Sequence, residues 1–251
     1  MPLSELRIIG IPGIPEVEIG ANLGKLICEY VREAGLGIHN QDVFVVAQKI
    51  VSKAEGRVVQ LKDVEPSVFA CRWAATHSQN PRLVEVVLRE SRRLLRMERG
   101  LLIAETRHGF VCANAGVDTS NTAMGVVTLL PEDPDRSAAH IRQVLEKEFG
   151  VQLAIIVSDT FGRPWREGLV NVALGVAGMG PFVDYRGQTD RFGRRLEITQ
   201  MAVADELASA AELVMGKTKG LPVALICGFA YPEGEGYGGQ IPRSPERDLF
   251  R

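Results

Sequence analysis

Two stretches of this sequence concentrate oxygen-bearing side chains. The first is Asn114-Ala115-Gly116-Val117-Asp118-Thr119-Ser120-Asn121, directly after a strand-like run. The second is Ser158-Asp159-Thr160-Phe161-Gly162-Arg163-Pro164-Trp165-Arg166, directly after the apolar run at 153–157. Each sets an aspartate and hydroxyls where a strand is expected to open into a loop, the place from which rigid scaffolds offer functional groups. Carboxylate and hydroxyl oxygens without Cys or His suit Mg²⁺ or Mn²⁺ rather than zinc or copper. Arg163 and Arg166 beside Asp159 offer guanidinium forks for phosphate or carboxylate. Asp and Asn at strand ends also make Asx-turns or cap helices. Either aspartate alone fits that plainer role; the two together, with two arginines and small flanking residues, point equally to a site.

A third stretch runs from Gln48 to Arg57 and carries Lys49 and Lys53. Strand periodicity, continued from Asp42, puts Lys49, Val51 and Lys53 on one face. Two ammonium groups there could receive phosphates, although a solvated edge strand guarded by lysines has the same pattern. Gly10-Ile11-Pro12-Gly13-Ile14-Pro15 is too short and apolar for a linker, and fits a tight turn whose backbone can approach a flat ring.

Other patterns fail. Gly216-Lys217-Thr218 ends like a phosphate-binding loop, but that motif needs Gly where this chain has Ala211, and a strand where a helix is expected. Gly234-x-Gly236-x-x-Gly239 matches a dinucleotide fingerprint, yet only residues 240–251 follow, too few for the rest of that unit. A flexible surface loop is the expectation there, with ordering over a ligand as the functional alternative. His39, His77, His108 and His140 are not spaced as metal ligands, and His108 is expected exposed in a turn. Cys28, Cys71, Cys112 and Cys227 lie scattered among apolar neighbours, which predicts buried thiols rather than disulfides or zinc.

Apolar spacing predicts helices at 23–31, 81–95, 141–149 and 204–215, the last two closed by Gly150 and Gly216. Strands are predicted at 42–50, 101–106, 110–114, 126–130, 152–158 and 222–227, with a hairpin around Arg107-His108-Gly109. Strict βαβαβ alternation is missing, so the expected class is α+β: mixed, largely antiparallel sheets with packed helices. The 251 residues are read as a single unit, with a second lobe dividing from it near 65–100.

Composition narrows the function classes. Hydrophobic residues at 45% and charged residues at 24% describe a globular chain rather than a disordered one. With 29 basic and 31 acidic residues, the net charge of -2 gives no electrostatic reason to expect nucleic acid. Apolar runs fall far short of the roughly 18 residues of a membrane span. The N-terminus lacks the basic head and apolar block of a secretory signal. A soluble, cytoplasmic protein without a membrane partner is expected.

In combination and order, these stretches resemble the coenzyme F-420 γ-glutamyl ligases. The resemblance rests on Gly10-Ile11-Pro12-Gly13-Ile14, Ser52-Lys53-Ala54-Glu55-Gly56-Arg57, the two aspartate stretches and Arg243-Ser244-Pro245-Glu246, and spans residues 8–246. It implies a GTP-dependent ligase joining L-glutamate to the lactyl-phosphate end of a deazaflavin F-420 precursor. An acyl phosphate would be the intermediate, GDP and phosphate the by-products, and further glutamates would follow through the γ-carboxylate. By the same resemblance Asp118, Asp159 and Thr160 are the ligands of two Mg²⁺ or Mn²⁺ ions, with K⁺ a further candidate ion. Asp118, Asp159, Arg163 and Arg166 form the expected catalytic group. The expected nucleotide contacts are Ile11, Pro12, Gly13, Ile14, Gln48, Lys49, Lys53, Asn121, Gly216, Lys217 and Gly220. An intertwined homodimer is also implied, and the segment 234–239 is the expected lid.

This sequence departs from the family pattern at three places. Gln48-Lys49 stands where some members carry small hydroxyl residues, which weakens those two contacts. The loop at 216–220 is shorter and more basic than in some relatives, which puts a metal ligand there in doubt. The chain ends at Arg251 without a flavin-binding extension, so a single-function ligase is expected. The alternative of a different class is a non-catalytic deazaflavin- or nucleotide-binding protein of the same fold.

Overall fold

A computed structural model describes residues 5–249. The chain opens with β1 (Arg7–Gly10), α1 (Leu23–Glu33) and β2 (Asp42–Ala47), then passes directly into α2 (Gln48–Ala54) and β3 (Val58–Gln60). The helices α3 (Val68–His77) and α4 (Pro81–Glu90) precede the meander β4 (Ser91–Glu98), β5 (Leu101–Thr106) and β6 (Val111–Ala113). Next come β7 (Val126–Thr128), α5 (Pro134–Phe149) and a long hairpin, β8 (Leu153–Arg163) with β9 (Arg166–Ala177). The short strands β10 (Val183–Asp184) and β11 (Gln200–Met201), then α6 (Val203–Met215) and β12 (Val223–Cys227), follow.

Five strands form the central sheet in the order β1-β12-β2-β8-β9. Only β2 and β8 are parallel; the other neighbours in it are antiparallel. The smaller sheets are antiparallel throughout, so the class is α+β, as expected. Both faces of the sheet are covered, which is why β2, β8 and β12 read as nearly continuous apolar runs. Alternation sends Phe44, Val46, Ile155 and Val157 to one face, against Ile27 and Val31 of α1 and Ile141 and Leu145 of α5. Val43, Val45, Ile156 and Ile226 take the other face, under Ala204, Leu207 and Ala211 of α6. A separate cluster of Ala70, Ala74, Val87, Leu102 and Ala104 lies beneath α3, α4 and β5.

Several expectations fail for identifiable reasons. The helix beginning at Pro81 stops at Glu90, and residues 91–98, including Leu94 and Leu95, are strand β4 instead. Pairing with β5 through a turn at Arg99 and Gly100, both with positive φ, overrides the apolar spacing. The strand expected at 42–50 ends at Ala47, where α2 begins. Conversely, β8 runs past Ser158 to Arg163, because β9 returns alongside it. Cys71 is exposed rather than buried. His108 is half-buried, its Nε2 lying 3.0 Å from the Glu132 carbonyl. The 234–239 segment is not a free loop: Gly236 and Gly238 press against the backbone at Met179 and Leu174, where a Cβ would collide. The Gly238 N–H also donates to Asp135 Oδ1 at 2.6 Å. No helix among the described residues is long and apolar enough to cross a membrane.

Candidate active site

Parallel pairing places Ala47 opposite Ser158, so α2 and the pair Asp159-Thr160 leave the apolar sheet centre at the same end. Two neighbouring segments are tied to that end: the Ile11 N–H donates to Val223 O at 2.9 Å, and the Ala47 N–H to Pro222 O at 2.8 Å. The turn at 11–14 and the loop at 216–222 therefore flank α2 and Asp159. The carboxyl ends of parallel strands are where open sheets collect their ligands.

Because α2 is a helix, Lys49 and Lys53 lie one turn apart on one face, a rise of about 6 Å, rather than about 13 Å apart along a strand. Both reach the loop after β6. Lys49 Nζ lies 2.8 Å from Asp118 Oδ2 and donates to Ser120 Oγ at 2.6 Å. Lys53 donates to the Asn121 carbonyl at 3.1 Å and pairs with Glu16. The opposite face turns inward: Gln48 is 1% exposed and donates to Ser52 Oγ at 2.6 Å and to Leu129 O at 2.9 Å. Helical geometry thus turns the Gln48 side chain, expected from the sequence among the nucleotide contacts, to the interior.

The loop bearing Asp118 is shaped by three successive left-handed residues, Asn114, Ala115 and Gly116. At Gly116 a Cβ would collide with Leu130 as well. Asp118 is fixed by a backbone bridge to Thr128, and its Oδ1 accepts the Ser120 N–H at 2.6 Å, an Asx-turn. The plainer turn-making role weighed from the sequence is therefore present at Asp118, with its Oδ2 turned to Lys49. Burial pushes the Asp118 carboxyl up, but hydrogen bonds from Lys49 and Ser120 and the Lys49 charge outweigh it and hold it below the usual range.

Asp159 behaves oppositely. Burial pushes its carboxyl up to about 6; the Thr160 N–H pulls it down, Asp118 raises it, and Lys49 and Lys217 oppose that rise. The same neighbourhood drives the Cys112 thiol up to about 12, through burial and then the Asp159 charge. Thr160 donates its hydroxyl proton to Asn171 Oδ1 at 2.7 Å, and Lys217 donates to Thr160 Oγ1. Asp118, Asp159, Thr160, Lys49 and Lys217 form one electrostatic group. Asn171 and Glu212, which line it, were missed in the sequence; the only signal was a lone amide in the otherwise apolar run of β9.

Arg163 and Arg166 sit elsewhere. They face each other across the tip of the β8–β9 hairpin, four strand residues past Asp159, or about 13 Å at the usual rise. Arg163 Nη2 is taken up by the Glu167 carbonyl at 2.6 Å, and Arg166 is exposed. Their expected place beside Asp159 is corrected, since the segment between is strand and not loop. In the 11–14 turn, Ile11 and Ile14 are core residues and only Pro12 and Gly13 face outward. Gly216 and Gly220, both with positive φ, bracket the exposed loop from which Lys217 reaches back to Thr160.

A cavity of about 710 Å³ adjoins Lys53, lined among others by Glu16, Ile19, Asn121 and Thr122. A larger one, about 900 Å³, lies between α1, α2 and α5 and contains none of the residues above. The smaller of the two is the one that adjoins Lys53 and Asn121. Among the described residues, no three or more His, Cys, Asp or Glu side chains converge as a ready-made metal cage. Two carboxylates in one electrostatic group, one of which raises the proton affinity of the other, nevertheless suit a hard divalent cation, which in phosphate-handling sites takes one or two carboxylates and completes its shell from substrate.

The model of the F420-0:Gamma-glutamyl ligase family matches residues 13–228. The chain is similar to the coenzyme F420:L-glutamate ligase of Methanothermobacter thermautotrophicus, at 45% identity over 98% of this chain and 99% of that one. It is equally similar to that of Methanopyrus kandleri, at 45% over 99% of both, and at 42% to that of Methanocaldococcus jannaschii, over 92% and 90%. The chain belongs to the F420-0:gamma-glutamyl ligase family.

Proposed function

We propose that this chain is a GTP-dependent ligase that joins L-glutamate to the lactyl-phosphate end of a deazaflavin coenzyme F-420 precursor. The observation that carries this reading is the gathering of Asp118 and Asp159 with Lys49 and Lys217 where the parallel pairing of β2 with β8 ends, in a chain of this family. A carboxylate oxygen of the precursor attacks the γ-phosphorus of GTP, and the bond from that phosphorus to its bridging oxygen breaks as GDP leaves. The glutamate amine then attacks the acyl carbon. The carbon–oxygen bond to phosphate breaks, phosphate departs and the nitrogen loses a proton. Further rounds use the γ-carboxylate of the glutamate just added.

Lys49 and Lys53 set two ammonium groups beside the polyphosphate, where the developing charge must be neutralised. Pro12 and Gly13, Asn121 and the loop from Gly216 to Gly220 surround the rest of the nucleotide. Asp118, Asp159 and Thr160 would hold Mg²⁺ or Mn²⁺. When bound, such ions supply charge neutralisation at the β- and γ-oxygens. Two such ions, K⁺ as a further ion, a homodimer and a cytoplasmic location belong to the same reading.

Isotope transfer tests the reaction. With ¹⁸O in the precursor carboxylate, one labelled oxygen is expected in the released phosphate, in step with glutamate addition. Amide formation with unlabelled phosphate would eliminate the acyl-phosphate route.

A further inference from the structure

We infer that Asn171, held by Glu212, is a positioning residue that fixes the Thr160 hydroxyl and the Lys217 ammonium toward the nucleotide site. The inference rests on the function proposed above and adds two residues to it. Asn171 and Thr160 are direct cross-strand partners in the β8–β9 hairpin. That register brings the amide to the hydroxyl: Thr160 Oγ1 donates to Asn171 Oδ1 at 2.7 Å. Asn171 is 4% exposed, so its orientation has to be set by protein.

Glu212, on α6, sets it. The Asn171 amide nitrogen donates to Glu212 Oε2 at 3.1 Å. A carboxylate only accepts, so the amide must present its NH₂ to Glu212 and its oxygen to Thr160 and Lys217. Lys217 closes the circuit, with its Nζ 3.3 Å from both Glu212 Oε1 and Asn171 Oδ1 and donating to Thr160 Oγ1. Ser209 braces the same strand by donating to the Asn171 carbonyl at 2.7 Å.

The chain of donors has a consequence for Thr160. Its proton is committed to Asn171 and one lone pair to Lys217, which leaves one lone pair for a cation. A flipped amide would offer N–H where the hydroxyl needs an acceptor. Thr160 would then have to turn its proton toward the site, and Lys217 would lose an acceptor. Glu212 thus acts through Asn171 and Thr160, and through its own contact with Lys217, without touching the nucleotide itself.

Comparing Glu212→Gln with Glu212→Leu isolates this effect, because both remove the same charge and only Gln keeps an acceptor for Asn171. The readouts are Mn²⁺·GDP affinity by calorimetry, with no turnover required, and the thermal midpoint. Wild type is expected to bind. Glu212→Gln should lose no more than about threefold and Glu212→Leu about tenfold, the usual worth of one buried hydrogen bond. Asn171→Leu should match Glu212→Leu in affinity if it folds. Equal affinities for the Gln and Leu variants would overturn the inference while leaving the proposed function intact. Failure of wild type to bind Mn²⁺·GDP would overturn the proposed function and this inference with it.

Discussion

Asp118 and Asp159 carry the same carboxyl group in two different settings. Asp118 lies on a loop, with an ammonium 2.8 Å away and the donors of Ser120 around it, and its proton affinity is lowered. Asp159 lies within strand β8, where burial dominates and its proton affinity is raised to about 6. Environment, not residue type, divides the labour between such pairs. Asp118 is an anion pre-organised by its own lysine. Asp159 is held at a cost that a bound cation would offset.

Removing the second carboxylate should have the largest effect. Asp159→Asn is expected to lower glutamate addition by about a thousandfold or more, in line with losing a preorganised charge in a phosphoryl-transfer site. Its stability should change in the opposite sense. A carboxyl whose folded-state affinity is raised supports the fold at low pH and loses that support as pH climbs through about 6. The Asn variant should therefore melt higher than wild type at pH 8 and no higher at pH 4. A variant that ligates at the wild-type rate would show that the comparison of the two aspartates has no functional meaning.

Next comes Lys49→Met, which removes the partner of Asp118. Turnover should fall by about ten- to a hundredfold, and urea unfolding at pH 7 should reveal a loss of about 1 kcal/mol, the upper range for a partly exposed pair. Because the Asp118 carboxyl is lowered, its stabilisation is present above the unfolded value and is lost as acid protonates it. The stability gap between wild type and Lys49→Met should accordingly close in acid. A gap independent of pH would assign Lys49 a packing role only.

The response to ligand separates the two aspartates without turnover. Mn²⁺ with GDP at about a hundred times its dissociation constant should stabilise wild type by about 2.7 kcal/mol. Asp159→Asn should show little of this, as thermal melts would report. The smallest effect on activity is expected of Gln48→Ala, which removes a buried amide with two acceptors. It should cost about 1–3 kcal/mol of stability and leave the Michaelis constant for GTP within about twofold, since one hydrogen bond to the nucleotide would be worth more. A selective rise in that constant would restore Gln48 as a nucleotide contact.

Parts of this architecture were legible in the sequence because they obey local rules. The helices at α1, α5 and α6 have a clean apolar face, and α5 has Asp133 as N-cap and Gly150 as its left-handed C-cap. The two aspartate stretches were visible because polar residues break apolar runs. What stayed hidden depends on pairing over long range. Residues 91–98 carry helical spacing and become β4 only because β5 is beside them. Likewise β9 makes 159–163 a strand, which carries Arg163 away from Asp159. Asn171 and Glu212 join the site through cross-strand register and helix packing, neither of which leaves a spacing signature.

The most direct measurement incubates the protein with glutamate-free F-420 precursor, L-glutamate, GTP and Mn²⁺, and reads product masses alongside GDP. A gain of one or more glutamyl units, with one GDP for each, is the predicted result. No mass gain, with the precursor verified as bound, would contradict the ligase reading and leave a protein that only binds.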